Sequence, residues 1–221
     1  MIKDKGLGTP IATQIFIGTN GLYKVFPIIA STLDKLQLRI LDASLHTTIR
    51  GSLNKQAKET AFDIFYVVNQ DDKPFGENIK IVSQIENALN EAFRNPEQTV
   101  LYPSRRIPQD LKQFSTMTNV VISTDLSRLS TTLEVITPDR PGLLLCLGQI
   151  FMEFKLQLIS AKISTLGERV EDVFHVVDTN YKPLSDLFAC SQLVQAICDE
   201  LDARVMKEVE GAPLQKMSLW N

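Results

Sequence analysis

Asp63-Ile64-Phe65-Tyr66-Val67-Val68-Asn69-Gln70-Asp71-Asp72-Lys73-Pro74-Phe75 returns, in register and without gaps, as Asp172-Val173-Phe174-His175-Val176-Val177-Asp178-Thr179-Asn180-Tyr181-Lys182-Pro183-Leu184. These copies lie 109 residues apart, whereas the stretch ending at Ala43 matches the one ending at Ala161 at an offset of 118, with Leu38 on Leu156 and Thr47 on Thr165. The difference, 118 − 109 = 9 residues, falls between Thr48 and Thr60. The first copy therefore carries an insertion, Arg50 to Lys58, whose polar composition reads as a longer hairpin loop. Self-similarity on this scale settles the architecture before any single residue is interpreted: the chain is a duplicated domain.

Working outward through the second copy yields its order of elements. Thr131 to Ile136 alternates as a strand, and Thr137-Pro138-Asp139-Arg140-Pro141-Gly142 stops it. Leu143 to Phe154 has apolar residues at helical spacing (Leu143, Leu147, Ile150, Phe154), with Leu144 and Phe151 suggesting a second packing surface. Leu156 to Thr165 and Val170 to Asp178 are strands joined by a Leu166-Gly167-Glu168-Arg169 turn, and a closing helix runs from Ser185 to Arg204. Arg204-Val205-Met206 reads as the start of a short last strand. The first copy repeats the order, with strands at Thr13 to Ile17, Leu38 to Thr48 and Thr60 to Asn69, and helices at Tyr23 to Leu36 and Asn78 to Phe93.

The expected fold class is thus α+β: two ferredoxin-like βαββαβ units in tandem, antiparallel sheets with helices on one face. The units span residues 13–96 and 129–206, with an N-terminal linker at 1–12, an inter-domain linker at 97–128 and a tail at 207–221. Within the linker, Asn119-Val120-Val121-Ile122-Ser123 is apolar enough to add an edge strand, and Arg105-Arg106 reads as solvated charge.

Composition narrows the function classes. An apolar content of 44% over 221 residues suits two small cores sharing an interface. A net charge of −3 argues against a nucleic-acid surface. Three cysteines, Cys146, Cys190 and Cys198, lie in apolar helical stretches and read as buried reduced thiols of a cytoplasmic protein. Two histidines, His46 and His175, are too few for a zinc cluster. No apolar run is long enough to span a membrane, and no signal-peptide core follows Met1.

The residues that carry chemistry sit in the turn after the first strand of the second copy. Pro138-Asp139-Arg140-Pro141-Gly142-Leu143 sets a stiffened, glycine-bearing turn at a helix N-terminus, where unpaired backbone N–H groups accept an anion such as an α-carboxylate. Gly142 lets the backbone approach closely, and Asp139 either caps the helix or receives an α-ammonium. Glu171 and Asp172 are neighbours on a strand, so they point to opposite faces and make poor partners for one metal.

Strand, then Asp139-Arg140-Pro141-Gly142-Leu143, then helix, strand, hairpin and helix resembles the ACT domain, a small ligand-sensing module of amino-acid metabolism. Leu166-Gly167-Glu168-Arg169-Val170-Glu171-Asp172-Val173-Phe174 looks like the last ACT domain of the bifunctional uridylyltransferase and uridylyl-removing enzymes that modify the PII nitrogen-regulatory protein. Thr13-Gln14-Ile15-Phe16-Ile17 and Leu41-Asp42-Ala43 are similar to the penultimate one, so the resemblance covers almost the whole chain. It implies a C-terminal sensory fragment in which L-glutamine, or another small amino acid, shifts the balance from uridylylation of PII toward its reversal. It also implies a ligand site where two units meet, formed by Asp139, Arg140, Gly142 and Leu143 on one side and Leu158, Ile159 and Ser160 of the second strand on the other, with Asp42 from the first copy. Asp42 has an alternative as a turn or sheet-edge charge. In the first copy the equivalent turn, Gly18-Thr19-Asn20-Gly21-Leu22-Tyr23, lacks the Asp and the Pro-Gly pair.

The resembled family places its chemistry elsewhere, in a magnesium-dependent nucleotidyltransferase domain and a His-Asp phosphohydrolase domain. Neither constellation occurs in this sequence, so the chain by itself is expected to be non-enzymatic and without a cofactor. Its effect on the catalytic domains would then pass through Met1 to Pro10, a segment that reads as flexible, after ligand has acted as glue between docked sheet edges. Three alternatives remain at this point: a stand-alone tandem-ACT regulator similar to the glycine-cleavage repressor type, a ligand-free homodimerisation module, and an RNA-binding sheet. The last requires exposed aromatics on central strands, and Phe65 and Phe174 have acidic neighbours instead.

Overall fold

The computed structural model describes residues 2–5, 12–20, 25–50, 58–96, 117–125 and 129–209. Their elements follow as β1 (Ile2–Lys5), β2 (Ala12–Asn20), α1 (Val25–Lys35), β3 (Arg39–Arg50), β4 (Lys58–Val68) and α2 (Ile79–Arg94), then β5 (Asn119–Asp125), β6 (Ser130–Pro138), α3 (Leu143–Glu153), β7 (Gln157–Leu166), β8 (Arg169–Val177) and α4 (Leu187–Val209). All pairings are antiparallel, and the strands form one eight-stranded sheet in the order β1-β2-β4-β3-β7-β8-β6-β5. This is α+β with two ferredoxin-like units in tandem.

The duplication extends to individual hydrogen bonds. Ala43 faces Phe65 in one hairpin and Ala161 faces Phe174 in the other, and a β-bulge interrupts both, at Ile40/Asp42 and at Leu158/Ser160. Asn69 accepts backbone N–H groups from Asp71 and Lys73, as Asp178 does from Asn180 and Lys182. These Asx turns hold the chain as it leaves the sheet for the second helix of each unit. Both α1 and α3 end in the same way. Leu38 N–H reaches Leu33 O and Leu156 N–H reaches Phe151 O, with Gln37 and Lys155 in the left-handed region at φ 59° and 54°.

Three expectations are corrected. Residues 204–206 do not begin a last strand but lie inside α4. The fourth strand of each unit instead comes from chain preceding it, β1 beside β2 and β5 beside β6. The segment read as a flexible leader therefore supplies a strand at Ile2–Lys5, and Asn119 to Ser123 forms the edge strand the sequence suggests. Asp42 is neither in a turn nor at a sheet edge, since β3 pairs with β4 on one side and β7 on the other. The tip of the first hairpin, residues 51–57, and Arg105-Arg106 lie outside the described residues.

Alternation along the strands sends one set of side chains into the core. On β8 these are Val170, Asp172, Phe174 and Val176, all buried, and on β4 Asp63, Phe65 and Val67. The helices cover that face as a layer in the order α2, α1, α3, α4. Being in the middle, α1 and α3 are buried nearly all round, whereas α2 buries only Ile85 and Leu89. Burial of Leu144 and Phe151 on α3 bears out the second packing surface. Gly148 permits the closest approach: a β-carbon there would stand 3.0 Å from Pro27 Cβ of α1. Beneath them Phe26, from the first unit, meets Phe174, from the second, edge to face at 6.2 Å.

Candidate functional site

A cavity of about 330 Å³ opens where the two units meet. The first unit contributes Asp34 from α1 and Arg39 and Ile40 at the start of β3; the second contributes Asp139 to Leu145, Thr165 and Asp172 among others. Its volume is at the lower end of the range for small-molecule sites. Two features make it chemically specific.

The first is the start of α3. Gly142, at φ 73°, occupies the N-cap position and brings no capping side chain of its own. A left-handed backbone here suits glycine because it has no Cβ to clash. Asp139 lies three residues before Gly142 in the same turn. Its backbone N–H is bonded to Glu168 O at 2.8 Å, tying the β6–α3 turn to the β7–β8 turn. Its Oδ2 accepts from Arg39 Nε at 3.2 Å, an ion pair that crosses from one unit to the other. Arg39 also holds Asp72 at 2.8 Å, so its guanidinium bridges a turn of its own unit and the loop of the next.

The second is Asp172. It lies on the cavity wall yet is only 2% exposed. Its Oδ1 accepts the Ser164 backbone N–H at 3.1 Å, and its Oδ2 is buried with no hydrogen-bond partner. Burial pushes the carboxyl up to about 7; the Ser164 N–H opposes this and the neighbouring Asp139 adds to it. Asp63, its counterpart in the first unit, is also buried and is pushed up to about 6, with the His46 N–H opposing. Sequence alternation flags Asp172 as facing away from Glu171, but apolar residues on either side of it, Val170 and Phe174, are the only signal that it faces inward.

Of the eight residues expected at a site, Asp139, Arg140, Gly142 and Leu143 are brought together on this cavity. Arg140, however, is 6% exposed and is turned toward α4: its guanidinium donates to Leu201 O and, at 3.1 Å, to Thr137 Oγ1. Thr137 in turn meets Thr118 Oγ1 at 2.9 Å, which donates to Asp202 at 2.6 Å. Arg140 thus anchors the turn to the last helix. Leu158, Ile159, Ser160 and Asp42 do not line the cavity; they lie at the two equivalent bulges. Burial raises the Asp42 carboxyl while the Lys162 charge and the Ala43 N–H oppose it. On the strand side the cavity is lined by Ile163, Thr165 and Val170 instead.

Other chemistry is not assembled. Among the described residues no group of three His, Cys, Asp or Glu side chains could hold a metal ion, and the three cysteines are free, Cys146 and Cys190 buried and Cys198 half-buried. No described helix is long and apolar enough to cross a membrane. Phe65 and Phe174 are wholly buried, so neither is available to stack on a base.

No family model matches the sequence, and no solved structure matches it. Curated relatives do. A bifunctional uridylyltransferase/uridylyl-removing enzyme of Pseudomonas savastanoi pv. phaseolicola (strain 1448A / Race 6) is 42% identical over 189 residues, which is 86% of this chain and 20% of the relative. Enzymes of the same name from Pseudomonas putida (strain W619) and Stutzerimonas stutzeri (strain A1501) are each 41% identical, over 191 and 189 residues, with the same shares covered. The chain spans about a fifth of the length of the relatives it matches.

Proposed function

We propose that this chain, a homologue of one fifth of the bifunctional uridylyltransferase/uridylyl-removing enzyme, is the amino-acid-sensing region of such an enzyme and that its ligand is L-glutamine. The observation that carries the reading is the inter-unit cavity, lined both by the glycine-led start of α3 and by Asp172, a buried carboxylate with one partnerless oxygen. Backbone N–H groups at a helix start suit an α-carboxylate, and a carboxylate suits an α-ammonium; a free amino acid carries both.

Because residues of both units line the space, a bound amino acid favours one arrangement of the units over others. It shifts their population by the ratio of its affinities, and ~1 to 3 kcal/mol is usual for such coupling. The units are then ACT domains, each completed by the strand that precedes it, β1 or β5, and acting in the cytoplasm on the parent's catalytic domains and through them on PII. Any magnesium belongs to those catalytic domains.

Calorimetry of the chain with L-glutamine, compared with glutamate, glycine and serine, tests this. Selective binding of glutamine, weakened by Gly142→Val at the left-handed start of α3, is the expected result. Equal binding of all four removes glutamine as the signal, and absence of binding by any amino acid removes the sensory reading.

A further inference from the structure

We propose that Asp172, on the cavity wall, is the receptor for the ligand's α-ammonium and so decides that the site takes amines over their des-amino counterparts. The inference rests on the amino-acid-site reading above and adds to it a residue that the turn motif does not contain.

Three observations converge on Asp172. Its Oδ1 is oriented by the Ser164 N–H at 3.1 Å, which leaves Oδ2 to face elsewhere. That Oδ2 is buried and has no partner. The residue lines the cavity that the start of α3 also reaches. A buried acceptor without a partner is costly, and an arriving N–H donor recovers that cost. Asp139 is the less available carboxylate, because Arg39 already donates to its Oδ2.

The charged residues that line the cavity with Asp172 are Asp34 from α1, Arg39 from β3, Asp139 and Arg140 from the β6–α3 turn, and Glu168 from the β7–β8 turn. Both cations are engaged, Arg39 with Asp72 and Asp139, Arg140 with Leu201 O and Thr137. The wall around Asp172 therefore favours a positive donor over an anion. With its carboxyl held at about 7 by burial, Asp172 carries a proton much of the time near neutrality. An ammonium beside it stabilises the ionised form, so binding expels that proton to solvent and no other bond changes.

The test is calorimetry of the wild-type chain with L-glutamine and with 4-carbamoylbutanoate, the same molecule without the α-amine, in buffers of different ionisation enthalpy at about pH 6 and about pH 8. The expected result is a loss of about tenfold or more in affinity for the des-amino compound, as for a hydrogen bond to a charged group. Proton release with glutamine should be larger at the lower pH. Asp172→Asn, which keeps the acceptor for Ser164, should lose both effects while retaining a cooperative melt. Glutamine binding that is matched by the des-amino compound, or that releases no proton at either pH, overturns this inference and leaves the sensory reading intact. Failure of every amino acid to bind overturns both.

Discussion

The two units bury an aspartate at the same point of the same hairpin, Asp63 opposite Leu45 and Asp172 beside Ser164, yet their surroundings differ. Asp63 feels burial opposed by one N–H, while Asp172 has in addition a second carboxylate, Asp139, across the cavity. Asp139 is present because the turn after β6 carries Asp-Arg-Pro-Gly where the sequence of the first unit has Gly21-Leu22-Tyr23-Lys24. Duplication preserved the frame, down to both bulges and both Asx turns. Divergence includes the turn after β6 and the open face of the sheet, where Phe16 and Phe62 of the first unit correspond to Glu134 and Glu171 of the second.

The contrast between the buried aspartates predicts the largest effect. A carboxyl at 3.8 when unfolded and about 7 when folded binds an extra proton in the native state between those values, so stability is lost as pH rises from about 4 to above 7. At ~1.4 kcal/mol per unit this amounts to about 4 kcal/mol for Asp172, and Asp63, at about 6, contributes about 3 kcal/mol over a lower window. Denaturant melts across pH should therefore flatten more, and at higher pH, in Asp172→Asn than in Asp63→Asn. Equal flattening by the two variants would erase the distinction between the units.

Next in size is the seam between the helices. Gly148→Leu would drive a side chain into Pro27, already 3.0 Å from a β-carbon at that position, and should cost about 1 to 3 kcal/mol in a denaturant melt. The same substitution weakens ligand binding as well if the two units must stay docked to form the cavity.

Smaller still is the ion pair across the seam. Arg39 and Asp139 are 35% and 23% exposed in their side chains, so a double-mutant cycle with Arg39→Ala and Asp139→Asn should return a coupling of about 1 kcal/mol or less. Smallest is the open face: Phe62 is 62% exposed, and Phe62→Glu, which makes the first unit resemble the second, should alter stability by about 0.5 kcal/mol or less. A larger loss would mean that this face is covered in the protein as it exists in solution.

Much of the fold is legible in the chain itself, and the errors have physical reasons. Helix and strand bounds follow from periodicity and from stops such as Asn78, whose side chain accepts the Lys80 and Ile81 N–H groups at the start of α2. Arg204-Val205-Met206 reads as a strand because a short run of such residues carries no period of its own, whereas a helix already nucleated at Leu187 extends through it at little cost. Ile2–Lys5 reads as a leader because a strand of four residues acquires its stability from its partner, β2, and shows little alternation.

What the sequence determined by itself is what repeats or alternates: the duplication, the pairing within each hairpin, the inward faces of the strands and the turn that opens α3. These are properties of contiguous chain, written at fixed spacing. Only the tertiary structure decided that β3 pairs with β7, that Arg39 reaches Asp139 across 100 residues of sequence, that Arg140 bonds α4 at Leu201 O, and that Asp172 keeps one oxygen without a partner. Each depends on how two separately patterned units dock, and docking brings distant side chains together without leaving any period in the sequence.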